Sequence, residues 1–246
     1  INPEAAINRL PEDQRDGVTV FESVDDMVRS GKVDALMIGT RCSMHTPYAI
    51  EASKYDLPLY LEKPVSTSME QAIELEKAFQ KSKCKVVVSF PLRLTQHCIV
   101  TRNHILDGAV GQPQHILATN YVNYGSVYFG DFYRDYSVTQ GLFLQKATHD
   151  FDYASFLMGS PIVKVAATQT QGRVFGGKNP AGLRCEDCPD ARDCTESLSN
   201  RMRNCSPGFT WSEHACLFSE DIGTPETGMN EDSSSALMTF ANGSVG

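Results

Sequence analysis

Lys63 is the first residue whose placement, rather than its type alone, points to chemistry. It stands in Glu62-Lys63-Pro64, directly behind the run Leu57-Pro58-Leu59-Tyr60-Leu61. A lysine at the end of a buried strand, followed by a residue with a fixed φ, is a cation held in one place. The same tripeptide on a surface is an ordinary exposed turn. A second polar group follows another apolar run: Val33-Asp34-Ala35-Leu36-Met37-Ile38 ends at Gly39 and continues into Thr40-Arg41-Cys42-Ser43-Met44-His45. Open parallel sheets bind ligands beyond the carboxyl ends of their strands, so both groups lie where a bound molecule would sit. Thr40 and His45 are equally suited to capping the next helix. The third set is thiol, spaced Cys185-x2-Cys188-x5-Cys194-x10-Cys205. Four thiolates in an irregular stretch suit tetrahedral zinc or an iron–sulfur cluster, with His214 and Cys216 as substitute ligands. Free thiols or disulfides are the alternative.

The elements that must position these groups are legible in outline. Val18-Thr19-Val20-Phe21 reads as a short strand, and Ser23 caps a helix through Met27 and Val28. The run 33–38 suits a strand buried on both faces. A helix follows over Pro47 to Tyr55, then the strand at 57–61. Capping-box spacing at Thr67–Glu70 and Ser68–Gln71 opens a helix with Ala72, Leu75 and Phe79 on one face. Lys85-Val86-Val87-Val88-Ser89 is the next strand. Alternation of this kind implies a parallel sheet with helices on both sides. Beyond residue 110 the pattern changes: Gln114 to Tyr124 alternates as a longer strand, Lys146 to Met158 is helical, and Ile162 to Thr170 and Ser235 to Phe240 read as strands. Residues 171–232 are irregular and rich in Gly, Pro, Cys and Ser, the composition of a functional, metal-held or mobile connection.

The chain has 246 residues, 41% hydrophobic and 21% charged, enough for a sizeable core. A net charge of -8 without a basic stripe excludes nucleic acid as a general partner. No run is long and apolar enough for a membrane span, and no signal peptide opens the sequence, so a reducing cytoplasm is expected. The ends, at Ile1 and just behind a strand at Gly246, read as cut from something longer.

Residues 33–97 resemble the Gfo/Idh/MocA family, the glucose–fructose oxidoreductase and inositol dehydrogenase group. The matching features are VDALMIGT, a histidine six positions after Gly39, LPLYLEKPVS, the capped helix and KVVVSFPLR. QKATHDFDYASFLMG at 145–159 resembles the family's active-site helix, and GAVGQP at 108–113 the turn entering its second domain. The resemblance covers most of residues 1–170. It implies an α/β fold: a Rossmann-type domain over 1–93, lacking its first βα unit, then an α+β domain with a large open sheet over 94–246, carrying the Cys-rich insertion 171–232. It further implies NAD or NADP, hydride transfer at a hydroxyl carbon of a small sugar or polyol, and a homo-oligomer, dimer or tetramer. Two other classes stay open: an NAD-dependent glycoside hydrolase, and a non-catalytic sugar-binding or sensor protein.

The resemblance also assigns roles. His149 would accept the hydroxyl proton and Lys63 would stabilise charge developing on the same oxygen. Thr40, His45, Glu62, Lys63 and Pro64 fall where the family contacts the cofactor. Arg93 would reach substrate, with a salt bridge as its alternative. Inositol dehydrogenase-like members carry an acidic residue four positions before the histidine, and Gln145 stands there instead, facing substrate without the charge to hold an imidazolium. Lys146 shares the face of His149 and would bind substrate, or pair with Asp150. Asp152 could orient the imidazole in place of the missing carboxylate. The Gly-rich phosphate loop that would separate NAD from NADP would precede residue 1.

Overall fold

A computed structural model describes residues 3–121, 128–130, 132–197, 200 and 215–246. Helix α1 (Val24–Arg29) starts at Ser23, whose hydroxyl accepts the Asp26 N–H. Three short parallel strands follow, β1 (Leu36–Ile38), β2 (Leu59–Leu61) and β3 (Val86–Val88), in that order across the sheet. Register sets Leu36 opposite Leu59 and Val86, and Ile38 opposite Leu61 and Val88. These two rows share one face and pack on α2 (Cys42–Ala52) through Ala49 and Ala52, with Leu75 and Phe79 of α3 (Met69–Phe79) beside them. The period-2 alternation of a strand thus builds this core. The intervening row Met37, Tyr60 and Val87 is solvent-exposed. The expected burial on both faces therefore holds for one face among the described residues.

At α3 the Ser68–Gln71 spacing is used as expected. Ser68 Oγ accepts the Gln71 N–H, while Gln71 Oε1 accepts from the N–H and hydroxyl of Thr67. The strand expected over Val18 to Phe21 does not form. Val18 N donates back to the Arg15 carbonyl in a turn, and among the described residues no strand pairs with this segment to make a ladder.

Beyond β3, α4 (Gln96–Leu106) leads to the second layer. The long strand expected from Gln114 is reduced to a bridge between His115 and Val245, and Leu117 and Tyr121 stand exposed. Val122 to Tyr124 lie outside the described residues. Two helices meet at a corner, α5 (Leu142–Gln145) and α6 (Thr148–Met158), followed by the antiparallel pair β4 (Ile162–Thr170) and β5 (Ser233–Phe240). Ala154 and Met158 of α6 bury against Met238 and Phe240 of β5, fastening the helix to this sheet. α6 ends at Gly159, φ 62°, where Arg102 donates to the Leu157 carbonyl.

The irregular residues 171–232 leave and rejoin one end of the β4–β5 ladder, where Thr170 pairs Ser233. The Asp232 carboxylate closes the neck by accepting the N–H groups of Arg173, Val174 and Phe175. Inside the excursion Leu217, Ile222 and Met229 form an apolar cluster with Phe129 and Leu142.

Candidate functional site

β2 delivers Glu62 and Lys63 to the carboxyl edge of the parallel sheet, where Glu62 N donates to the Ile38 carbonyl and Lys63–Pro64 is a cis peptide. α2 anchors this turn from beneath. The His45 ring contacts the Pro64 carbonyl through Nδ1 (2.7 Å) and the Thr40 carbonyl through Nε2 (3.0 Å), and Thr46 Oγ1 donates to the Val65 carbonyl. His45 is only 2% exposed. Both ring nitrogens of His45 are thus engaged with backbone carbonyls, and Pro64, also buried, takes part through its carbonyl in holding the Lys63 turn against the end of β1. Thr40 and His45 do not cap α2, whose N-cap is Arg41 without a side-chain bond. Thr40 and Glu62 remain half-buried at the strand ends. A Cβ added to neighbouring Gly39 would meet nothing within 4 Å, so this edge is open.

From this edge Lys63 Nζ donates to the backbone carbonyl of Gln145 at 2.7 Å, bridging the parallel sheet and the α5–α6 corner. Burial lowers the Lys63 pKa; Cys42 and Glu62 oppose that, and Lys146 adds to it. The corner itself is fixed from far along the chain. The buried Glu231 carboxylate accepts the Leu142 N–H at the start of α5. It can approach because residue 141 is glycine: φ is 100°, and a Cβ there would stand 2.4 Å from Glu231 Oε1.

His149 occupies the first turn of α6, its ring edge-on to Phe90 directly behind β3 (centroids 6.0 Å apart, planes at 86°). Its pKa is lowered, first by burial and then by Lys63 and Lys146, against the weaker pull of Asp150 and Asp152. His149 Nδ1 and Gln145 Oε1 are buried and have no hydrogen-bond partner among the described residues. Paired polar atoms are the rule inside proteins, so two orphans on one corner, at Gln145 and His149, mark a place built for something else. Tyr153, one turn beyond His149, is pushed up to about 12 by burial and Asp150.

The other expected roles resolve differently. Arg93 grips Asp152 with two bonds, Nε to Oδ2 at 2.8 Å and Nη2 to Oδ1, so Asp152 serves Arg93 rather than orienting the His149 ring, and Arg93 takes the salt-bridge alternative. Asp150 accepts from Asn120, and no Lys146–Asp150 ion pair forms among the described residues. The Asp152 side chain is 7% exposed and that of Arg93 43%. Arg93→Met is therefore expected to strand a buried carboxylate at a cost of roughly 1–3 kcal/mol, the lower part of the range because the arginine is partly screened. A thermal melt should show a drop of several degrees, with substrate KM nearly unchanged. A large rise in KM at unchanged Tm would return Arg93 to the substrate.

Cys185, Cys188 and Cys194 line one small cavity together with Cys216, while Cys205 and His214 lie outside the described residues. No three His, Cys, Asp or Glu groups among the described residues stand close enough to hold one metal ion. No helix among them is long and apolar enough to cross a membrane.

A parallel βα layer followed by helices and an antiparallel sheet is the arrangement of a Rossmann-type domain joined to an α+β domain. Residues 4–90 match the model of the oxidoreductase family with an NAD-binding Rossmann fold, and residues 100–246 that of the GFO/IDH/MocA C-terminal domain; the chain belongs to the Gfo/Idh/MocA family. It is 27% identical over 154 residues to inositol 2-dehydrogenase of Rhizobium meliloti, covering 59% of this chain and 43% of that protein. It is 23% identical over 196 residues to the rhizopine catabolism protein MocA of Rhizobium meliloti, covering 78% and 59%. The chain thus spans about half the length of these relatives. Among solved structures, the WlbA dehydrogenase of Bordetella pertussis, in complex with NADH and UDP-GlcNAcA, shares the fold with a TM-score of 0.59 at 20% identity, over 100% of this chain and 55% of that one. The myo-inositol 2-dehydrogenase of Lactobacillus plantarum gives 0.61 at 14% identity, over 96% and 58%.

Proposed function

We propose that this chain carries the reaction centre of an NAD(P)-dependent dehydrogenase or reductase acting at a hydroxyl carbon of a small sugar or cyclitol. The observation that carries this reading is the meeting of Lys63 with the α5–α6 corner that holds His149, beside two buried polar atoms without partners among the described residues. A bound nicotinamide cofactor supplies the acceptor or donor of hydride. Thr40, Glu62 and Lys63, at the open edge by Gly39, would hold it.

In the oxidative direction the substrate hydroxyl sits between Lys63 and His149. The neutral imidazole takes the hydroxyl proton, and the ammonium of Lys63 stabilises negative charge growing on that oxygen. Lys146, half-buried on the same corner, contacts a second substrate hydroxyl. Gln145 supplies a neutral amide where inositol dehydrogenases carry an acid, which favours a substrate other than inositol itself. The named relatives, which include inositol dehydrogenases and a structure holding a nucleotide sugar, support a polyol or sugar as the substrate class.

The test is turnover by the full-length protein with NAD+ or NADP+, and in reverse with the reduced cofactors, across polyols, aldoses and nucleotide sugars, followed by nicotinamide absorbance. Substrate-dependent change with one cofactor is expected. Tight cofactor binding with no turnover in either direction across the panel would leave a binding protein instead.

A further inference from the structure

Lys146 is clamped by its backbone between the two groups assigned to the reaction. The peptide that joins it to Gln145 offers its carbonyl to Lys63 Nζ at 2.7 Å. Its own carbonyl accepts the His149 N–H at 3.2 Å, and its N–H donates to the Leu142 carbonyl at 2.7 Å. The side chain is left half-buried on the corner. Among the described residues neither its ammonium nor that of Lys63 forms an ion pair. The acidic groups of this region are engaged with other partners. Asp152 holds Arg93, Asp150 accepts from Asn120 Nδ2 at 3.1 Å, Glu62 accepts the Lys63 N–H at 3.2 Å, and Glu231 accepts the Leu142 N–H. The corner is positive for a second reason. α6 has 11 residues, and its N-cap Ala147 supplies no side-chain bond, so the positive end of the helix adjoins Lys146 uncapped. Asp150 in the first turn offsets only part of this. The pKa directions agree. After burial, Lys146 lowers that of Lys63, and Lys63 and Lys146 both lower that of His149. Two ammonium groups that repel each other at a half-buried helix start, with no carboxylate paired to either, form a place for an anion.

We infer that the substrate is an anionic sugar, whose carboxylate or phosphate group is bound by Lys146 beside the reacting hydroxyl. This rests on the dehydrogenase reading above and narrows its substrate class. The two anions share one recognition chemistry, an oxyanion accepting charge-assisted bonds from an ammonium. A lysine has three donors, so Lys146 serves the anion together with a neighbouring hydroxyl. Gln145 is neutral and only 3% exposed, and sets no negative charge against the anion. Its Oε1, without a partner among the described residues, accepts from a substrate hydroxyl.

The experiment compares matched sugars on the full-length protein with NAD+ or NADP+: D-glucose against D-glucuronate, D-galactose against D-galacturonate, and each hexose against its phosphate monoester. Each is measured by turnover and, separately, by equilibrium binding, in the native protein, Lys146→Met and Lys146→Arg. The charged member of a pair is expected to exceed its neutral parent about ten- to a hundredfold in kcat/KM and in affinity. Which charged member does so, acid or ester, names the anion. In Lys146→Met the ratio is expected to fall to near one, and Lys146→Arg to keep most of it. A merely structural role for Lys146 would lower both members alike and leave the ratio standing. Added salt is expected to erode the preference in the native protein. A ratio near one in the native protein, or one that survives in Lys146→Met, overturns the inference. The two readings fail separately. A charged-sugar preference in binding that is lost in Lys146→Met, with no turnover of any sugar, keeps the anion site and removes the dehydrogenase. Turnover of neutral sugars without that preference keeps the dehydrogenase and removes the anion site.

Discussion

Lys63→Met is expected to lower kcat about a hundred- to a thousandfold while melting temperature changes little. Methionine keeps the length and most of the apolar stem and deletes only the charge and its donors, so the loss isolates the ammonium. That ammonium is already desolvated, since burial is the first cause of its lowered pKa. A charge in such a place acts on a developing alkoxide with little screening. The hydrogen bond to the Gln145 carbonyl uses one of its three donors and sets its direction, which leaves the others for the substrate oxygen. An interaction made more strongly in the transition state than in the ground state shows in kcat and kcat/KM together, and one that merely binds substrate shows in KM. A variant whose KM rises while kcat holds would make Lys63 a docking group. Unchanged turnover would remove it from the reaction.

The strand tips were legible in the sequence because strands announce themselves locally. Leu36, Ile38, Leu59 and Leu61 alternate with outward residues, and the following glycine or Glu-Lys-Pro ends the run. The caps at Ser23 and Ser68 were legible for the same reason, being contacts within three residues. What was hidden is long-range. Nothing near Lys63 announces that its ammonium meets the carbonyl of Gln145, 82 positions on, and Arg93 and Asp152 are 59 apart. Glu231 gave no signal at all; only the glycine at 141, answering a carboxylate 89 positions beyond Leu142, records it. His45 shows a different limit. Its position behind β1 is local, but its two ring contacts are with the carbonyls of Thr40 and Pro64, the latter 19 positions on, which the sequence does not announce. Val18 to Phe21 and Gln114 to Tyr121 alternate as strands do, yet period 2 specifies only a face. A strand also needs a ladder partner, and alternation does not say whether one is there.

His149→Asn is expected to cost about a hundred- to ten-thousandfold in kcat/KM for alcohol oxidation, and to abolish the acid limb of its pH profile. The direction of that limb follows from the causes of the shift. Burial disfavours the charged ring, and Lys63 and Lys146 repel it, so the proton leaves below the ordinary histidine value of about 6.5. The neutral, proton-accepting form then persists into mildly acidic solution, and activity should fall only under more acidic conditions than for an ordinary histidine. Removing a repelling charge must move the limb upward, so Lys146→Gln should shift it to higher pH even where the maximal rate survives. Asp150→Asn removes an attraction and should shift it to lower pH. Opposite displacements from two neighbours flanking one imidazole are hard to obtain from any other titrating group. Asp152 is excluded from this comparison, because its loss would also release Arg93. A limb that persists in His149→Asn, or that ignores both neighbours, would mean that the rate-controlling base lies elsewhere in the full-length protein.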